Sequence, residues 1–185
     1  QEVVFNMDVK FQHVNLYFQD ESRFGLFTKN GRALTAKGIK HICPFHQVFQ
    51  STYLFRTFSP INGDKFLIDL SFCNADIFQK CLNEFSKHNP DEFKIMVLGN
   101  GAFHKAKTLI IPNNIALIFL PPYSPELNPA EKISAHLKRS FTNRLFNTLN
   151  ELSIFIEKAT NDLTANTIIS TCSVSYIFNN LIWTM

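Results

Sequence analysis

Three positions in this 185-residue chain could act together as a metal site. Asp20 closes the apolar run "VNLYFQD", Gly99 follows the run "FKIMVL", and Glu131 falls in the first turn of a helix expected after the loop "PPYSPELNP". Carboxylates at the ends of adjacent central strands, joined by one on a nearby helix, can converge on one point. Such a cluster repels itself until divalent cations bind, which is how Mg²⁺ sites are built. Two ions held roughly 3.5–4 Å apart can activate an attacking oxygen and stabilise a leaving one in phosphoryl transfer. The middle position is the anomaly. Gly99 has no side chain to contribute, and it stands where open α/β folds put working residues, at the carboxyl end of a buried strand.

Each position also has a structural reading. Asp20 in "QDES" can be a turn-forming residue at a polar strand end. Asn128 is a natural N-cap and Pro129 a natural first helical residue, so Glu131 falls where it can cap backbone N–H groups and favour the helix dipole. Gly99, beside Asn100-Gly101, can be a glycine that the turn requires. Spacing alone leans towards structure in all three cases.

The elements that must position these residues can be read from periodicity. The pattern predicts a first strand over Val14–Asp20, a two-residue hairpin turn at Asn30-Gly31, and a β-rich run "QVFQSTYLFRTF". Asn62-Gly63 then joins that run to "FLIDLSF", the strongest hairpin signal in the chain. Next comes a helix with Asn74 as N-cap and Ile77, Phe78, Cys81, Leu82 and Phe85 on one stripe. "FKIMVL" and "IALIFL" read as buried strands, with "HKAKTLI" as a short helix between them. The proline loop leads to a helix carrying Ile133, Leu137 and Phe141 at i, i+4 and i+8. A capping box of Thr148 and Glu151 opens a second helix with Leu152, Ile156, Ala159 and Leu163 inward. The tail from Ser173 is expected to pack back on the body. The result is one α/β domain, a mixed sheet covered by helices on both faces.

Composition agrees and adds limits. Hydrophobic residues make up 45% and charged residues 18%, the balance of a globular chain, and 20 Phe against one Trp suit a large buried sheet. A net charge of +3 allows an anionic partner without requiring one. Cys43, Cys73, Cys81 and Cys172 show no CxxC spacing, which favours a reduced, cytoplasmic setting. No apolar run approaches a membrane span. The chain opens on Gln1, as a fragment or processed product would. "HICPFH" offers His41, Cys43 and His46 as zinc ligands. A fourth ligand at convincing spacing is missing, so the motif is set aside. His13, His88, His104 and His136 are scattered and read as structural or surface residues.

Three stretches, "YFQDESRFGLF", "IMVLGNGAFHKAK" and "IFLPPYSPELNPAEKISAHLKR", resemble the catalytic core of bacterial insertion-sequence transposases of the mariner superfamily. The resemblance runs from about Asp8 onward, and "PPYSPELNPAE" is its most specific block. It implies a ribonuclease H-like fold of three antiparallel strands followed by two parallel ones. It also implies an Asp, Asp, Glu triad holding two Mg²⁺ or Mn²⁺ ions. Asp20 matches the first Asp and Glu131 the Glu. The second Asp is expected in an "LDNG" block where this chain reads "LGNG", so Gly99 stands in its place. Ser134, where relatives often carry Trp, is a second departure, expected to bear on packing more than on chemistry. Asn100 is expected to point away from the site and not to replace the missing ligand.

The chemistry the resemblance implies is attack by metal-activated water at the transposon end, then attack by the freed 3′-hydroxyl on target DNA. Cleavage is expected to be absent or severely impaired here for want of a carboxylate at 99, with the fold intact. Lys105, Lys107, Lys132, Lys138, Arg139 and Arg144 are the expected phosphate contacts, with a solvated helix face as the equal alternative. Double-stranded DNA (transposon ends and target) is the expected partner, with assembly as a homodimer on DNA and end recognition by an N-terminal helix-turn-helix segment that this chain lacks. The alternative function is a non-catalytic remnant that binds DNA or multimerises. A ribonuclease H-like nuclease outside transposition is disfavoured by the "PPYSPELNPAE" block.

Overall fold

A computed structural model describes residues 11–32, 34–40, 42 and 44–172. Strand β1 (His13–Gly25) is central. It pairs antiparallel with β2 (Ser51–Phe58), which pairs antiparallel with β3 (Lys65–Leu70). On its other side β1 runs parallel to β4 (Glu92–Leu98), and β4 runs parallel to β5 (Ile115–Phe119). The order β3-β2-β1-β4-β5 is the mixed sheet expected of a ribonuclease H-like fold, three antiparallel strands and then two parallel ones.

Alternation along β1 sorts its side chains between two cores. Tyr17 joins Phe55, Met96 and Leu98 beneath helix α1 (Ala75–Lys87), whose Phe78, Cys81, Leu82 and Phe85 are buried as the stripe predicts. Asn74 caps α1, its side chain accepting from the backbone N–H of Ile77 at 2.9 Å. Phe18 and Phe24 face the other way, towards α2 (Ala130–Phe141), α3 (Leu149–Asn161) and α4 (Ala165–Cys172). Ile133, Leu137 and Phe141 are the inward side of α2. Aromatic rings fill these layers, edge-on in Tyr17–Phe85 at 4.9 Å and Phe24–Phe141 at 5.6 Å and stacked in Phe141–Phe146 at 5.2 Å.

The structure corrects four expectations about the elements themselves. β1 does not end at Asp20. It continues to Gly25, because Glu21 to Gly25 go on pairing with β2 after the pairing with β4 has stopped at Phe18↔Val97. Asn30-Gly31 is no hairpin turn. The segment docks on the α2–α3 connection, with the Gly31 N–H donating to Asn143 Oδ1 at 2.7 Å. A Cβ at Gly31 would come within 2.5 Å of the Thr142 methyl, so glycine is required there by close approach. "HKAKTLI" forms no helix of its own: a 3₁₀ turn at Ala102–Lys105 covers only its first residues, and the chain then bends again, the Leu109 N–H donating to the Ala106 carbonyl at 3.1 Å. Leu163 is buried but lies beyond α3, after the Asn161 end of the helix, and α4 follows as a separate helix.

The Asn62-Gly63 turn forms as expected, with Gly63 at φ +74. So does the Thr148 cap, which accepts from the Glu151 N–H at 3.1 Å, while the Glu151 carboxylate reaches the Asn147 N–H at 2.9 Å. The tail from Ser173 lies outside the described residues, as do His41 and Cys43 of the set-aside zinc motif.

Candidate active site at the ends of β4 and β5

The cleft exists because the central strands stop at different heights. β4 and β5 end at Leu98 and Phe119, while β1 runs on. Continuing the β1–β4 register two residues past Phe18↔Val97 sets Asp20 beside Gly99. Both positions then face the α2 side, since Phe18 and Val97 do. The proline loop folds across this opening. Its Asn128 donates from the side-chain amide to the Gln19 carbonyl at 2.8 Å, and the Asn128 Oδ1 accepts from the Ala130 N–H at 3.1 Å. One residue therefore ties the loop to β1 and caps the helix that carries Glu131.

Asp20, Gly99 and Glu131 line one cleft of about 200 Å³, with Asn100, Tyr123 and Asn128 around them. Three sequence blocks far apart along the chain thus converge at one place. Gly99 is not held by a conformational need. Its backbone is outside the left-handed region, and a Cβ built on it meets nothing within 4 Å. Asn100, expected to point away, lines the cleft as well, because alternation no longer governs the chain once β4 has ended at Leu98.

Electrostatics mark the cleft. Burial, and then the Asp20 carboxylate, push Glu131 above the usual carboxylate value, while Lys138 and Arg56 pull it back. Glu21, on the opposite face of β1, is engaged by His104. The His104 Nε2 lies 2.8 Å from the Glu21 carboxylate and its Nδ1 lies 3.0 Å from the Gly99 carbonyl. That ring links the end of β4 to β1 and buries itself in doing so.

The sequence reading missed Arg56 altogether. Directly across β1–β2 from Asp20, it is completely buried, and its Nη2 lies 2.8 Å from Asp20 Oδ2, 2.5 Å from Ser22 Oγ and 2.6 Å from Ser134 Oγ. A signal was present: Leu54, Arg56 and Phe58 share a face, so an arginine in "YLFRTF" had to be buried and paired. Ser134 is also more than a packing change. Its hydroxyl meets the Asp20 carboxylate as well as Arg56, and lies 2.9 Å from the Ala130 carbonyl.

The basic residues divide. Lys132 and Arg139 line a groove of about 620 Å³ beside Glu131, between α2 and α4. Lys138, one step from Arg139, acts on Glu131 by its charge. Arg144 belongs elsewhere, its guanidinium 4.7 Å over the Phe155 ring beside a separate cavity. The Lys105 ammonium sits 5.1 Å over Phe119, and Lys107 is exposed on the loop before β5.

A family model described as DDE superfamily endonuclease matches residues 15–153, well over half of the chain. The chain belongs to the DDE superfamily of endonucleases. An uncharacterized protein of Sinorhizobium fredii, y4pE/y4sA, is 30% identical over 102 residues, which are 54% of this chain and 76% of that protein. Among solved structures, the Mos1 strand transfer complex superposes with a TM-score of 0.68 at 13% identity, over 85% of this chain and 50% of that one. The Mos1 mariner paired end complex with Mn gives 0.68 at 14% identity, over 85% and 51%. These likenesses establish a shared ribonuclease H-like fold, and this DDE endonuclease chain spans about half the length of the Mos1 chains it matches.

A pair of divalent ions would need more ligands than this cleft offers. Asp20 has Oδ2 engaged by Arg56 and Ser134, Glu131 contributes one carboxylate, and position 99 contributes none. Among the described residues no group of three His, Cys, Asp or Glu side chains is placed to hold a metal. The residues present do not fit a two-metal site.

Proposed function

We infer that this chain is the catalytic domain of an insertion-sequence transposase resembling the mariner superfamily, acting on DNA, and disabled by glycine at the position of its second metal-binding aspartate. The observation that carries this is the convergence of Asp20, Gly99 and Glu131 on one cleft, with open space where a side chain at 99 would go. The cleft is the place where three matching blocks meet, and only the middle one lacks its carboxylate. In an active relative Mg²⁺ or Mn²⁺ would supply charge stabilisation for cleavage and strand transfer. Here Asp20 and Glu131 are the two matching carboxylates, with Asp20 Oδ2 engaged by Arg56 and Ser134, and nothing at 99 completes the set.

Lys132, Lys138 and Arg139 support a DNA-contacting role, because they stand on the helix of Glu131 and beside its groove. Contacts of that kind hold phosphates and carry no sequence information. The same observation favours a second reading, a non-catalytic chain that occupies DNA or joins mixed assemblies. Double-stranded DNA is the partner in both, with a homodimer on DNA as the expected assembly.

The test is Mn²⁺-dependent nicking of a labelled duplex by this chain and by Gly99→Asp. The reading predicts cleavage from the substituted chain alone. Equal cleavage by both would remove Gly99 from the argument. Binding of the duplex by both chains without cleavage by either would favour the second reading.

A further inference from the structure

We propose that Arg56 is a built-in counter-cation that occupies the metal's place at Asp20, so that the cleft of this chain is assembled and charge-balanced without a divalent ion. The proposal rests on the reading of Asp20 as the family's first metal-binding aspartate and goes beyond the loss at position 99.

The argument begins with the cost of burying a guanidinium. Arg56 has no solvent exposure and stands in β2 between Leu54 and Phe58 on the face covered by α2. An arginine cannot shed its charge to escape such a place, so it needs an anion. Among the described residues its only ion-pair partner is Asp20, at 2.8 Å. Among the described residues its Nε and Nη1 have no hydrogen-bond partner, which leaves the compensation found there to the Nη2 side. There, two protons are shared among oxygens of Asp20, Ser22 and Ser134.

Ser134 completes the arrangement. It is fully buried on α2, and a larger side chain there would meet the guanidinium. Its hydroxyl receives from Arg56 and turns towards the same Asp20 oxygen, Oδ2. That oxygen is therefore saturated, and a cation entering the cleft would meet a fixed positive charge behind Asp20. In a cluster of carboxylates awaiting metal, removing one acid relieves repulsion. Here, removing the Asp20 charge would orphan a buried cation, so the sign of the effect on stability separates the two cases.

The experiment has two arms. In chelator-containing buffer, thermal unfolding is measured for the unchanged chain, Asp20→Asn and Glu131→Gln. The proposal expects Asp20→Asn to lower the midpoint by on the order of 10 °C and Glu131→Gln to leave it unchanged or raise it. A midpoint for Asp20→Asn that is unchanged or raised, or an equal fall in both variants, overturns it. In the second arm, Mn²⁺ affinity is followed by paramagnetic resonance in Gly99→Asp and in Gly99→Asp/Arg56→Met, with folding checked by circular dichroism. The double variant should bind Mn²⁺ about tenfold or more tightly than the single one. Equal affinity in the two, measurable or not, overturns the claim that Arg56 opposes metal. If the Arg56→Met chain does not fold, the first arm decides alone. Mn²⁺ binding by Gly99→Asp as tight as by the double variant would sink this proposal while leaving the transposase reading in place.

Discussion

Asp20 and Arg56 face each other across the β1–β2 pair, one carboxylate oxygen 2.8 Å from a guanidinium nitrogen, with the arginine sealed from solvent and the aspartate at 12% exposure. Replacing Arg56 by Ala would leave a nearly buried carboxylate without its cation and a hole under α2. The expected loss is about 3–5 kcal/mol in urea denaturation. The exposed Lys87–Glu84 pair, just as short at 2.7 Å, is the control, and Lys87→Ala should change stability by less than about 1 kcal/mol.

Position 99 should accept a side chain at almost no cost. The built Cβ has open space and the backbone is ordinary, so Gly99→Ala is expected to stay within about 0.5 kcal/mol of the parent. Gly63→Ala is the opposite case. Its φ is +74 and its added Cβ would lie 2.6 Å from the Cα of Ala165, a backbone atom that cannot step aside. A loss of about 2 kcal/mol or more follows from strain and clash together. Equal losses at 63 and 99 in the same denaturation series would contradict the view that Gly99 serves no structural need.

Glu131 gives a pH signature. Burial and Asp20 raise its pKa in the folded chain above the ordinary 4.5. The unfolded chain therefore releases this proton first, and the folded state is penalised as pH rises from that ordinary value through the raised one. Glu131→Gln removes the penalty. Its stability relative to the parent should be nil in acid and favourable at neutral pH, by under about 1 kcal/mol because the group is half-exposed. Unfolding midpoints compared across that range check the sign.

Lys65 is a helix stop supplied by the sheet. Its ammonium donates to the carbonyls of Thr160 at 2.5 Å and Leu163 at 2.8 Å, at the end of α3. The carbonyls at the helix end and the negative end of the helix dipole both favour a cation there. Lys65→Met should cost about 1–2 kcal/mol. Hydrogen exchange should quicken in the last turn of α3 before it does in α2.

Much of this architecture is legible because apolar periodicity governs it. The strands at 92–98 and 115–119, the stripe of α1 and the caps at Asn74 and Thr148 are local signals, and local chemistry decides them, although β5 at the sheet edge buries only Ile115 fully. What escapes local reading depends on partners distant in sequence. β1 runs past Asp20 because β2 continues beside it, and Asn30-Gly31 fails to turn because Asn143 captures it. α4 is rich in Thr and Ile, poor helix formers, and is held by Ile168 and Cys172 packing into the α2 core. The site divides in the same way. Asp20, Gly99 and Glu131 could be placed from motifs, whereas the Arg56–Ser134 contact with Asp20 needed the register and the helix packing.

The central claim is that Asp20, position 99 and Glu131 form one site whose middle ligand is missing. The most direct measurement is single-turnover cleavage of a duplex in Mn²⁺ by the parent chain, by Gly99→Asp, and by Gly99→Asp carrying Glu131→Gln. The account predicts no cleavage from the parent, measurable cleavage from Gly99→Asp, and its loss when Glu131 is changed. Cleavage by the parent equal to that of Gly99→Asp, or cleavage that survives Glu131→Gln, would contradict it.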